Sequence, residues 1–139
     1  MRKLVFIFGF LVLLTSCRKE INQNNINKIN GYWEIEKVFL ANGEKKDYTI
    51  NQTIDYFEIK NKKGFRQKVM PQVDGTYLTN NLKENISITN ESGRFYINYS
   101  TNFGKWKEEI LEVKDSILIL LNKDNLEYHY KKQIPFSLK

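Results

Sequence analysis

The chain has 139 residues, 41% of them hydrophobic and 27% charged, with a net charge of +6. That length fits one domain able to bury a core without disulfides or metals, and the composition excludes bulk disorder. Lys and Glu alternate, as in "WKEEILEVKD" (106–115), which lacks the basic stripe of a nucleic-acid binder and predicts a mixed, solvated surface.

The first element is an apolar run over 4–14, preceded by Arg2 and Lys3. As a helix it would span about 16 Å, against about 30 Å of bilayer hydrocarbon, so it reads as an export signal and not as a membrane span. The run ends in "LTSC" (14–17), which holds the only cysteine of the chain, Cys17. This stretch resembles a bacterial lipobox: positive start, apolar run, Leu three places before Cys, small residues between. The resemblance implies removal of a signal peptide, 1–16, and a diacylglyceryl group on the Cys17 sulfur, with the new amine commonly acylated as well. Two or more acyl chains give durable anchoring where one is marginal. With Arg18 after the cysteine, the resemblance favours the outer membrane of a cell envelope, on its periplasmic face or at the cell surface. The membrane, reached through the lipid on Cys17, is then the first expected partner.

Residues 17–30 are expected to comprise the lipidated cysteine and a flexible tether, since "INQNNINKIN" (21–30) is polar and lacks periodicity. From Gly31 the apolar pattern has a period near two, and turn signals recur, among them "ANGE", "NKKG", "VDG", "NESG", "NFG" and "NKDN". Between them lie nine strand candidates: 32–40, 53–60, 65–70, 76–79, 85–89, 94–100, 105–113, 116–121 and 126–132. The apolar phase shifts midway through the first and the seventh, which predicts a bulge in each. No useful helical stripe follows Leu14, so the fold class is all-β.

Closure into a small antiparallel up-and-down barrel of eight or nine strands disposes of the sheet edges; a β-sandwich or half-open barrel is the alternative on strand count alone. "NGYWEIEKV" (30–38), with Gly31 and Trp33, looks like the G-x-W signature of lipocalins, and residues 31–133 are similar to the lipocalin-like domains of small bacterial lipoproteins. Three departures stand beside that likeness: a shorter chain, no C-terminal helix, and no clear late arginine. Residues 134–139 read as a tail.

Chemistry is sparse. His129 is the only histidine, on the more polar face of its strand, with no second His and no free mature thiol for a metal site. No G-x-S-x-G stretch or Gly-rich phosphate loop occurs. The chain is therefore read as no enzyme, with no catalytic residue, metal or cofactor. Glu108 and Glu112 are expected in solvent, with one of them facing the cavity to orient a ligand as the alternative; the basic turn "KNKKGFRQK" (60–68) is expected to be a hairpin kept soluble by its charge, with contact to anionic head groups as the alternative. What remains is aromatic: Trp33, Phe57, Phe95, Tyr99, Trp106, Tyr128 and Tyr130 are the candidate lining of a cavity. Two readings follow. One is a lipid-anchored binding module holding a small apolar or amphipathic ligand; the other is an interaction protein whose filled barrel meets an envelope complex or neutralises a toxin, with the protein partner unknown.

Overall fold

A computed structural model describes residues 21–137; Cys17 and the expected signal segment 1–16 lie outside the described residues. The described chain opens with a one-turn helix, α1 (Gln23–Ile26), and a 3-10 turn (Asn27–Ile29). Nine strands follow. They are β1 (Gly31–Phe39), β2 (Lys45–Asp47), β3 (Ile54–Lys60), β4 (Lys63–Pro71), β5 (Tyr77–Glu91), β6 (Arg94–Thr101), β7 (Gly104–Val113), β8 (Ile117–Leu121) and β9 (Glu127–Lys132).

Each strand from β3 to β9 pairs antiparallel with the next, and β1 joins both ends, pairing with β3 through Gly31, Tyr32 and Trp33 and with β9 through Trp33 to Phe39. Eight strands thus close into an up-and-down barrel, and β2 is an extra strand against the end of β1. Closure leaves the barrel wall without free edges. The two predicted bulges are present, as register shifts between Ile35 and Lys37 and between Ile110 and Glu112. A third, unforeseen shift lies in the β4–β5 pair, between Gln67 and Val69.

Alternation sends one set of side chains inward. Trp33, Phe57, Ile59, Ile86, Ile88, Ile97, Tyr99, Ile110, Leu118, Leu120 and Tyr130 form one buried cluster. At the β3–β4 hairpin the two backbones come so close that a side chain on Gly64 would lie 1.7 Å from the Glu58 carbonyl oxygen, so only glycine fits there.

The ends of the barrel differ. At one end Ile26 and Ile29 are fully buried in the core cluster, with Ile21 packed against it. The tether expected over 17–30 is corrected for its second part: three isoleucines spaced too irregularly to show a helical stripe still fill the barrel base. Trp33 Nε1 donates to the Ile29 carbonyl at 2.7 Å, and the Asn30 amide bonds both the N–H (2.5 Å) and the carbonyl (3.1 Å) of Ile59. Lys132, at the end of β9, places its ammonium 4.4 Å from the Trp33 ring and donates to the carbonyls of Asn30 (2.6 Å) and Lys28 (3.3 Å).

At the other end the β4–β5 hairpin outgrows its neighbours and bends onto the outer wall. Ile54 and Val69 are cross-strand partners, buried but outside the main core cluster. The Gln67 amide donates to the Thr79 hydroxyl, and the Tyr77 ring stacks on Tyr32 at 3.9 Å. Tyr77 Oη also donates to Gln133 Oε1 at 2.6 Å. The hairpin is therefore fixed away from the opening.

Candidate functional site

The open end is a cleft of about 550 Å³ between the bent hairpin and the β6–β7 turn, lined by Lys68, Leu82, Glu84, Ser100, Thr101 and Phe103 among others. A second hollow of about 310 Å³ adjoins it along Lys68, Met70 and Leu78. Leu78, Leu82 and Phe103 are largely or wholly exposed and Met70 is 45% exposed, so apolar side chains stand in water on a rim that also carries Asn80, Lys83, Asn85 and Asn102. Such clustering at one place marks a surface with a binding role more often than scattered exposed residues do.

Beneath the rim the interior turns polar. Arg66 makes a two-point pair with Glu84, Nη2 to Oε2 at 2.7 Å and Nε to Oε1 at 3.3 Å, and its Nη1 lies 3.6 Å from Glu108 Oε1. Its guanidinium stacks on the Tyr99 ring at 4.3 Å. Lys68 Nζ lies 2.6 Å from Asp55 Oδ1, whose side chain is buried. Burial pushes the Glu108 carboxyl above the usual carboxylate range, against the pull of Arg66, and pushes the Tyr99 and Tyr130 hydroxyls well up. The Tyr99 hydroxyl and the Glu108 carboxyl face each other as donor and acceptor, which partly offsets the effect of burial on Glu108.

Two expectations are thereby corrected. Glu108 is not solvated: it is 7% exposed, inside the barrel. Arg66, taken as part of a soluble basic turn, also points inward. The signal for Glu108 lay in its phase, since Trp106, Glu108 and Ile110 share one face of β7. Arg66 was masked because the more apolar face of its strand, with Phe65 and Val69, is the outer one, covered in part by the folded-over hairpin. Glu112 pairs with Lys114 at 2.6 Å on the outside.

Of the seven aromatic candidates, Trp33, Phe57, Tyr99 and Tyr130 are buried in the core cluster, and Phe95 and Tyr128 pack against it. Trp106 stacks on Tyr99 at 5.2 Å and stays 39% exposed. They do not share one void: Trp33 belongs to the plugged end, whereas Tyr99 and Trp106 stand beside the polar cluster. His129 sits on the outer wall, its Nε2 2.6 Å from Glu127 Oε1 and its ring edge-on to Phe39. Among the described residues no group of three or more His, Cys, Asp or Glu is placed to hold a metal ion.

No family model and no curated protein matches the chain. Among solved structures it is similar to a lipocalin-like protein from Bacteroides uniformis, with 14% identity and a TM-score of 0.49 over 76% of this chain and 99% of that one. It is also similar to apocrustacyanins C1 and C2, each with 14% identity and a TM-score of 0.49 over 84% of this chain and 67% of the other. The barrel itself rests on the strand pairing above.

Proposed function

We propose that this chain is a lipid-anchored envelope protein whose barrel carries one small amphipathic molecule at its open end, without catalysing a reaction. The observation that supports the carrier reading is the cleft of about 550 Å³ with an apolar rim, Leu82 and Phe103, above a polar floor that begins at Glu84. A cavity of that size lies within the range of small-ligand sites, which pair apolar walls with a few placed polar groups. The anchor rests on the lipobox resemblance of residues 14–17.

Native mass spectrometry of the protein purified from its own host tests the carrier. A retained small molecule, lost on Leu82→Ser with Phe103→Ser, is the expected result; a clean apoprotein with a co-purifying protein would favour the interaction reading, which the exposed rim also suits. For the anchor, Cys17→Ala is expected to move the protein from the membrane to the soluble fraction. An unmodified Cys17 mass in the exported protein would refute it.

A further inference from the structure

Up-and-down pairing puts the β3–β4, β5–β6 and β7–β8 turns at the plugged end, beside Lys28 and Lys132. Charge is spread unevenly there. In the last two turns each acid has its own cation: Glu91 holds Lys107 at 3.1 Å, and Asp115 holds Lys28 at 3.3 Å. The β3–β4 turn, 60–63, reads Lys-Asn-Lys-Lys without an acid, and all four residues are exposed. Glu58, on the same face of β3 as Lys60, takes the Tyr56 hydroxyl at 3.2 Å. Among the described residues, the ammonium groups of Lys60, Lys62 and Lys63 have no ion pair or hydrogen bond.

This turn is a fixed part of the base. Asn30 bonds both backbone groups of Ile59, next to Lys60, and the Ile88 N–H donates to the Lys62 carbonyl at 2.8 Å. Backbone strain marks the same place. Asn61 and Lys62 have positive φ, 53° and 65°, a hairpin conformation for which Asn-Gly is the favoured pair. Glycine at 62 would serve the fold better, so the lysine stands there at a cost in strain. The mouth has no comparable run of one sign: Glu44 and Asp47 stand among Lys45 and Lys46, and Asp124 beside Lys123.

We infer, resting on the anchor proposed above, that Lys60, Lys62 and Lys63 dock the base on anionic phospholipid head groups of the membrane that holds Cys17. Charge and reach both select this occupant. Three exposed ammonium groups free of acids suit head-group phosphates, each cation near such a surface strengthening attachment about fivefold. Only three residues separate Cys17 from Ile21, which packs against the core at the base, so a lipid on that sulfur brings head groups beneath this turn. The docked barrel stands upright.

The test loads the full-length lipidated protein on phosphatidylcholine nanodiscs with or without phosphatidylglycerol, each containing a nitroxide-headgroup lipid as quencher. A fluorophore on Ser92→Cys reads the base and one on Lys123→Cys the mouth, the Cys17 sulfur being blocked by its lipid. At low salt, phosphatidylglycerol is expected to deepen quenching of the base label several-fold and to leave the mouth label unchanged. The gain is expected to vanish at about 1 M salt, where screening shortens to about 3 Å. Replacing all three lysines by Gln is expected to lower the docked-to-undocked ratio on the order of a hundredfold, returning base quenching to its neutral-disc value. Lys62→Gly, which relieves the turn, is expected to raise the melting temperature while weakening docking about fivefold. Base quenching that ignores phosphatidylglycerol, or that survives the triple substitution, would overturn the docking and leave the anchor standing. A triple variant that keeps its quenching and loses a co-purifying protein would give the surface to a protein partner instead. Protein that fails to load on phosphatidylcholine discs would overturn the anchor and the docking that rests on it.

Discussion

The two ends of this barrel are built from the same strands and differ in nearly everything else. At the plugged end Ile26, Ile29 and Trp33 are fully buried, and the carbonyls of Lys28, Ile29 and Asn30 are bonded by Lys132 or by Trp33. At the open end apolar side chains stand in water and buried carboxyl groups, Asp55 and Glu108, are held by Lys68 and Arg66. A closed sheet ties the whole wall together, so one end can be given over to apolar packing while the other holds a buried charge cluster. On the carrier proposal, stability and binding are separated along the barrel axis.

That separation can be broken most strongly at the base. Trp33→Ala removes a fully buried indole, its bond to Ile29 and the platform under Lys132, and is expected to cost about 3–5 kcal/mol in chemical denaturation. Arg66→Met comes next: it strands Glu84 and Glu108 together in a mostly buried place, and a loss of about 2–3 kcal/mol is expected, measured the same way. If Arg66→Met proved neutral, the polar cluster would be solvated and the contrast between the ends would weaken.

Lys132→Met sharpens the comparison at smaller scale. It keeps the apolar stem over Trp33 but loses the bonds to Asn30 and Lys28, and is expected to cost about 1 kcal/mol. Glu108 supplies a pH signature. Burial raises its pKa in the folded state, so the folded protein holds a proton that the unfolded chain has released once pH passes the ordinary carboxylate value of about 4.3. Stability should therefore fall as pH climbs from there through the raised value. Glu108→Gln is expected to flatten that stretch of the melting-temperature profile. Smallest of all, Phe103→Ser is expected to change stability by less than about 0.5 kcal/mol, while reducing ligand occupancy at the mouth in native mass spectra.

The strands were legible where alternation is undisturbed. Phe95, Ile97 and Tyr99 against Tyr96 and Asn98 give β6 almost to its limits, and the phase slips in 32–40 and 105–113 announced real bulges. Three features were hidden for physical reasons. Strand β2 (Lys45–Asp47) is three exposed polar residues, with no burial to imprint a pattern. The stretch 77–91, read as two strands with a break, is one continuous strand; its polar middle, residues 80–82, lies in the β4–β5 bulge, where the N–H groups of Asn81 and Leu82 donate to Thr79 Oγ1 and Asn80 Oδ1, so no apolar alternation marks it. The plug escaped notice because a single turn at the end of a barrel is buried by its position and carries no stripe of its own.

The site was half legible. The aromatic residues were found by type and phase, yet the charged residues among them were assigned to water, since a carboxylate or guanidinium is inside only when paired. That pairing joins β4, β5 and β7, which adjacency in sequence does not reveal. Phase pointed Glu108 inward, the alternative to the solvated reading, and burial at 7% exposure agrees with that alternative.

The plug also sets a direction. Ile21 enters the fold at the filled base, and only three residues separate it from Cys17, a span of at most about 14 Å when fully extended. If Cys17 carries the lipid proposed for it, the membrane lies close under the base. On that proposal the barrel stands like a cup on a short stem, its open end turned to the space beyond.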